Sequence, residues 1–310
     1  MEILFLGSAL LVGCLLAVQA SVNQQLNRAV GTPYGASTLQ LAVAAGALGL
    51  TALGTGALGA VRAVDDVEHW WLLLGGVASP VYITAGILLF PRLGAVSSVG
   101  LFVTGQVFAS IALDLLGVLA VPRRELGIGI VVGAVAVLSG ITAVIRGQRA
   151  AATPGERPAH QGGWVLLGLL AGAVLPVQGA INAQLRRDVE EPLAVGTISF
   201  VVATLSIAAV LGVLLLGRRT PVPQLSGLRA MPWWGWLGGL CAATYVVTTF
   251  LVLPRIGAAV TVALTVTGQQ AASALVDQRG WFRMPRRPLT SPRLAGLGML
   301  VAGSVLVQLA

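Results

Sequence analysis

The sequence predicts an all-α integral membrane protein with ten transmembrane helices, arranged as two inverted five-helix repeats. Three observations predict it. Of the 310 residues, 56% are hydrophobic and only 10% charged, against about 25% charged in an ordinary soluble domain. The 40 glycines follow no collagen period and sit inside Leu, Val and Ala runs, as in helices that pack closely within a bilayer. Third, the two halves of the chain repeat one another in constant register. Ten spans of about 20 residues use roughly 200 residues, which leaves room for short loops.

The first apolar run covers 3–29. Its Val18-Gln19-Ala20 resembles a signal-peptidase site, but Glu2 stands where a basic leader would begin and a close copy of the motif recurs in mid-chain, so it is read as a retained span. Runs at 35–60, 70–90, 95–119 and 126–146 complete the first series. Residues 147–163 (GQRAAATPGERPAHQGG) lack periodicity and read as a linker, dividing the chain into repeats at 1–146 and 164–310. The second series runs 164–187, 193–217, 233–253, 258–281 and 292–310. All seven Trp (70, 71, 164, 233, 234, 236 and 281) fall at predicted helix ends, where amphipathic rings favour the headgroup layer.

The repeat is detailed. Gly13, Gln19, Asn23, Gln25, Leu26, Arg28 and Pro33 match Gly172, Gln178, Asn182, Gln184, Leu185, Arg187 and Pro192 at a constant offset of 159. After a four-residue insertion the offset becomes 163. It then pairs Trp70-Trp71, Gly75-Gly76, Tyr82, Pro91-Arg92 and Gly94-Ala95 with Trp233-Trp234, Gly238-Gly239, Tyr245, Pro254-Arg255 and Gly257-Ala258. Gly105-Gln106, Ser110, Asp114, Gly117 and Pro122-Arg123-Arg124 match Gly268-Gln269, Ser273, Asp277, Gly280 and Pro285-Arg286-Arg287 in the same way. An odd number of spans per copy makes the copies enter the membrane from opposite sides. Inverted pairs of this kind place a substrate site near the midplane, between the halves.

The net charge of +8 comes from 19 Arg and no Lys, scattered in ones and twos. No basic stripe suited to nucleic acid results. Thirteen Arg fall on the face that carries the linker and six on the other, which puts the linker in the cytoplasm and both termini outside. Cys14 and Cys241 lie in apolar runs and are read as packing residues. His69 and His160 fall in polar connections, and no metal-ligand spacing is present.

The deepest polar groups are amides. Gln19 with Asn23, and Gln178 with Asn182, stand at i, i+4 and share one helix face; they line a cavity or hydrogen-bond helix to helix. Gln106 and Gln269, each beside a Gly, form a second candidate wall, with Tyr82 and Tyr245 as further contacts. Asp114 and Asp277 are the acidic residues placed within helical runs. An intramembrane charge calls for a partner, and cross-repeat pairs Arg28–Asp277 and Arg187–Asp114 are expected as gates or struts; the alternative is a local helix cap or a pair with Arg123 or Arg286.

Gly13…Gln19…Asn23, Trp70-Trp71…Gly75-Gly76…Tyr82, Pro91-Arg92-Leu93-Gly94-Ala95 and Gly105-Gln106…Asp114…Gly117, repeated in the second half, resemble the YdcZ-like family of the drug/metabolite transporter superfamily. The resemblance covers nearly the whole chain. It implies two fused antiparallel five-span halves in the inner (plasma) membrane, but leaves the cargo open. Pro176 stands where the first copy has Ala17, which predicts a kink in the sixth span alone.

The expected function is a secondary transporter that moves a small organic metabolite or drug-like molecule by alternating access, export included. No ring of charges or carbonyl filter suggests a channel, no catalytic constellation suggests an enzyme, and no P-loop or cofactor motif is present. The expected partners are the lipid bilayer and a small-molecule substrate, with the chain a monomer or weak homo-oligomer. A non-transporting scaffold or sensory subunit is the alternative; wetting of Gln19 and Gln178 separates the two.

Overall fold

The computed structural model describes residues 2–151 and 161–310. Nine helices among them are long and apolar enough to cross a membrane: α1 Glu2–Val30, α2 Pro33–Thr55, α3 Ala78–Leu116, α4 Ile128–Ala151, α5 Gln161–Val189, α6 Pro192–Leu216, α7 Leu237–Ile256, α8 Ala258–Arg279 and α9 Ser291–Leu309. The shortfall from ten lies in α3, whose 39 residues would reach about 58 Å if straight, twice the ~30 Å of a hydrocarbon core. It is not straight. Gly94 leaves helical geometry at φ 77°, ψ 170°, and Gly257, between α7 and α8, adopts nearly the same angles, φ 80° and ψ 163°. Only Gly takes that backbone region without strain.

Helix ends depart from the hydropathy runs where a left-handed Gly stops the helix. The second run ends at Thr55 against Gly56, the fourth at Leu116 against Gly117 and the ninth at Arg279 against Gly280. Helix also enters both ends of the segment read as a linker, since α4 continues to Ala151 and α5 starts at Gln161. Residues 152–160, His160 among them, lie outside the described residues. His69 is exposed beside Glu68. α5 runs on through Pro176 as one helix.

The helices of the two halves interlock. In a bilayer the hydrophobic effect does not drive helix association, so close backbone approach and van der Waals contact must hold the bundle. A Cβ at Gly13 would overlap the Thr265 carbonyl, and one at Gly172 would overlap the Phe102 carbonyl. Gly268 stands likewise against the Leu10 carbonyl and Gly105 against that of Leu169. These contacts join α1 to α8 and α5 to α3. Each is the repeat image of the other, because Thr265 and Phe102 differ by 163 and Leu169 and Leu10 by 159. α4 packs on α9 through Gly140 and Gly296, where an added Cβ on either would come within 2.7 or 2.6 Å of the other's carbonyl oxygen.

The outer surface is apolar. Leu205, Val213 and Leu216 of α6 are 63%, 69% and 89% exposed, and an exposed apolar surface of this kind suits lipid. Buried polar groups concentrate inside, with Gln19, Asn23, Gln24, Gln25, Gln178 and Gln269 all under 10% exposed.

Candidate functional site

A cavity of about 490 Å³ lies between the halves, walled by α1, α3, α5, α6, α7 and α8. The structure brings seven of the eight expected binding residues to it: Gln19, Gln178, Asn182, Gln106, Gln269, Tyr82 and Tyr245. Its volume falls in the range of small-molecule sites. Gln269 Nε2 donates to the Tyr82 hydroxyl at 2.9 Å, across the repeats, and the Tyr82 ring tilts against Phe102 at 4.7 Å. Gln178 Nε2 donates to Ser79 Oγ at 2.8 Å, and Asn182 Nδ2 to Ser199 Oγ at 3.1 Å. The wall is thus pre-ordered by its own hydrogen bonds.

Asn23 is the exception. It is 2% exposed and does not line the cavity; its Oδ1, with no hydrogen-bond partner among the described residues, occupies space that a Cβ on Gly238 would need. Asn182 stands in the same way against Gly75, so both asparagines use the space of a missing side chain. The repeat differs in partners, because Ser79 and Ser199 correspond to Ala242 and Gln40. Gln19 consequently lacks the hydroxyls that hold Gln178, and its Oε1 is buried with no partner among the described residues.

The cavity is lopsided. Along α5 its lining extends from Leu175 to Arg186, three residues before the helix ends, while along α1 it includes only Leu16 and Gln19. Beyond Gln19, α1 is sealed by buried Gln24, which donates to the carbonyl of Ile87 at 3.1 Å, while its image Ala183 lines the cavity. A second bond is common to both halves: Gln25 donates to the carbonyl of Phe282 at 2.8 Å. Gln184, the image of Gln25, donates to Leu119, the image of Phe282, at 2.9 Å.

The expected pairs Arg28–Asp277 and Arg187–Asp114 are not formed. Arg28 sits at the exposed end of α1 and reaches the Arg283 carbonyl at 3.4 Å; Arg187 is exposed. Asp277 is instead enclosed with Arg293 at 2.6 Å, both side chains 1% exposed. Its carboxylate also accepts from the backbone N–H groups of Ala95 at 2.8 Å and Val96 at 3.2 Å, so it caps the helix that restarts after Gly94. Arg287 completes the arrangement by donating to the Pro91 carbonyl at 2.8 Å, where the preceding helix ends. Anion at a helix start and cation at a helix end is the favourable sense for both dipoles.

The equivalent groups in the other half stand apart. The backbone N–H of Arg124 reaches the Asp114 carbonyl at 2.8 Å, as that of Arg287 reaches Asp277 at 2.7 Å. Yet, among the described residues, neither the Asp114 carboxylate nor the Arg124 side chain hydrogen-bonds to the Gly257 break. A Cβ at Gly94 would meet Arg287 and Asp277, whereas one at Gly257 would meet nothing within 4 Å. Sequence reasoning missed Arg293, Ser79, Ser199 and Arg186. Arg293 and Arg186 were absorbed into the count of topology charges, and the serines carried no pattern of their own.

The sequence pattern of one family, described as "Putative inner membrane exporter, YdcZ", matches residues 4–143 and 163–306. No curated protein matches the chain. Seven chains of solved structures are similar. One, described as "Crystal structure of protein", is 20% identical with a TM-score of 0.57, over 98% of this chain and 97% of its own. That likeness concerns the fold.

Proposed function

We propose that the chain, which belongs to the YdcZ family of inner-membrane exporters, is a secondary transporter that carries a small hydrogen-bonding organic molecule by alternating access. Its ten spans form two inverted repeats, with α3 counted as two crossings that meet at Gly94. The length of α3 and the matching dihedrals of Gly94 and Gly257 support this count. The Arg distribution supports a cytoplasmic linker with both termini outside.

One observation carries the mechanism: the same helix-break motif is engaged at Gly94 and disengaged at Gly257, and the cavity opens toward the disengaged one. Thr249 and Phe250 before the Gly257 break and Thr261 after it line the cavity, which supports an opening on that side. Inverted repeats can generate a second state by exchanging the conformations of their halves. In that state Asp114 caps the start of α8 and Arg124 the end of α7, while Asp277 and Arg287 release the break at Gly94. The opening then moves to the linker side. Amides and hydroxyls give the cargo donors and acceptors in both states.

A thermal-shift screen of the purified protein against a metabolite library tests the reading, since a ligand bound by the folded state raises apparent stability by mass action. Hits are expected to weaken at least tenfold in Gln19→Ala and Gln106→Ala and to show counterflow in proteoliposomes. Hits untouched by both substitutions, or bound without counterflow, would overturn it.

A further inference from the structure

We propose that the cavity selects a small organic monoanion, a carboxylate on an apolar body, and that Arg186 sets this preference. The inference rests on the transporter reading above and adds the charge of the cargo. Among the described residues that line the cavity, Arg186 is the one that is charged. Every other lining residue contributes an amide, a hydroxyl or apolar surface, and none is acidic. An organic cation entering here meets a guanidinium and no carboxylate.

Arg186 has no carboxylate within 4.0 Å among the described residues. Its guanidinium lies 6.0 Å from the Phe250 ring centre, at the outer limit of a cation–π contact. The planar fork of N–H donors is therefore available for two parallel bonds to a carboxylate. Phe200, Val246 and Phe250 also line the cavity. Their low polarity leaves the field of one charge weakly screened and fits the carbon body of the ligand. Gln19 also lines the cavity and adds an amide beside that body.

Comparison of the repeats separates Arg186 from the scaffold. Gln19/Gln178, Gln106/Gln269 and Tyr82/Tyr245 are duplicated, and so is the neighbouring pair Arg28/Arg187. Position 186 is not, because its image is Asn27. The fold of the repeat does not require a cation there, and the charge serves one mouth of the cavity only.

The test places a thiol in the cavity wall with Thr249→Cys, in a full chain carrying Cys14→Ser and Cys241→Ser. Thr249 lines the cavity, and its hydroxyl donates to the Tyr245 carbonyl one turn back at 2.7 Å. Labelling rates are measured with an anionic sulfonatoethyl and a cationic trimethylammonioethyl methanethiosulfonate, each relative to a free thiol. The anionic reagent is expected to be favoured about tenfold, with the preference lost in Arg186→Gln and kept in Arg186→Lys. Phenylacetate, hexanoate and indole-3-acetate should slow labelling more than their primary amides and amines. Preference for the cationic reagent, a ratio unchanged by Arg186→Gln, or no protection by any carboxylate overturns the charge assignment and leaves the open cavity standing. Failure of both reagents to label overturns the open cavity itself, and the charge assignment with it.

Discussion

Replacing Asp277 by Asn should cost about 3–5 kcal/mol of folding stability. The Asp277 and Arg293 side chains meet at 2.6 Å and are each 1% exposed, so neutralising the carboxylate leaves a guanidinium with almost no access to water. Removal of one partner from a buried pair costs about 3–5 kcal/mol. Arg293 keeps the Arg287 and Pro288 carbonyls at 3.0 and 2.8 Å, which pulls the charge contribution toward the lower end. Asn retains the bond from Ala95 through Oδ1 but sets an NH2 against the Val96 N–H and Arg293 Nη2, leaving a donor unsatisfied at about 1–3 kcal/mol. Arg293→Met should be similarly costly, and Asp277→Asn/Arg293→Met should cost about 2 kcal/mol less than the sum of the two. Equilibrium unfolding in detergent micelles, followed by Trp fluorescence, measures all three. A loss below about 1 kcal/mol for Asp277→Asn, or strict additivity in the double variant, would refute the pairing as a structural unit.

Gly94→Ala should destabilise the observed state more than Gly257→Ala: both impose about 1–3 kcal/mol of backbone strain, but only at Gly94 does the new Cβ also strike Arg287 and Asp277. Cavity labelling through Thr249→Cys should therefore slow in Gly94→Ala and stay near its parent rate in Gly257→Ala; the reverse order would contradict the engaged and disengaged assignment. Gly105→Ala and Gly172→Ala should each cost about 1–3 kcal/mol through forced helix separation, while Gly46→Ala, with nothing within 4 Å, should be neutral or gain up to about 1 kcal/mol; unfolding of the three side by side is the check. Gln269→Leu should lose about 1 kcal/mol with its bond to Tyr82, and adding Tyr82→Phe should cost little more; full additivity would show that the two do not interact.

Much of the architecture was legible because it is carried by composition and repetition. Apolar runs of spanning length, glycines within them and two constant offsets are properties of the chain alone, and they announced membrane helices in two related halves. The amides Gln19, Gln178 and Asn182 were legible as cavity candidates for the same reason, since a polar group kept twice at i, i+4 inside an apolar run calls for a use. Asn23 shows the limit. Its pattern is identical to that of Asn182, yet one lines the cavity and the other lies beyond its sealed end, because the halves take up different conformations that a shared motif cannot distinguish.

What the sequence determined by itself was the kind of molecule: the hydrophobic cost of leaving those runs in water demands a bilayer, and duplicated positions demand related folds. What only the tertiary structure decided was which charges meet and which stand apart. Arg293 reaches Asp277 because α9 packs beside α8 in three dimensions, and its image in the first repeat is Ile130, so no symmetry argument could supply the partner. Arg186 borders the cavity and Arg187 faces outward, although the two are adjacent in the chain; about 100° of helix rotation separates neighbours, and packing alone sets which of them turns inward.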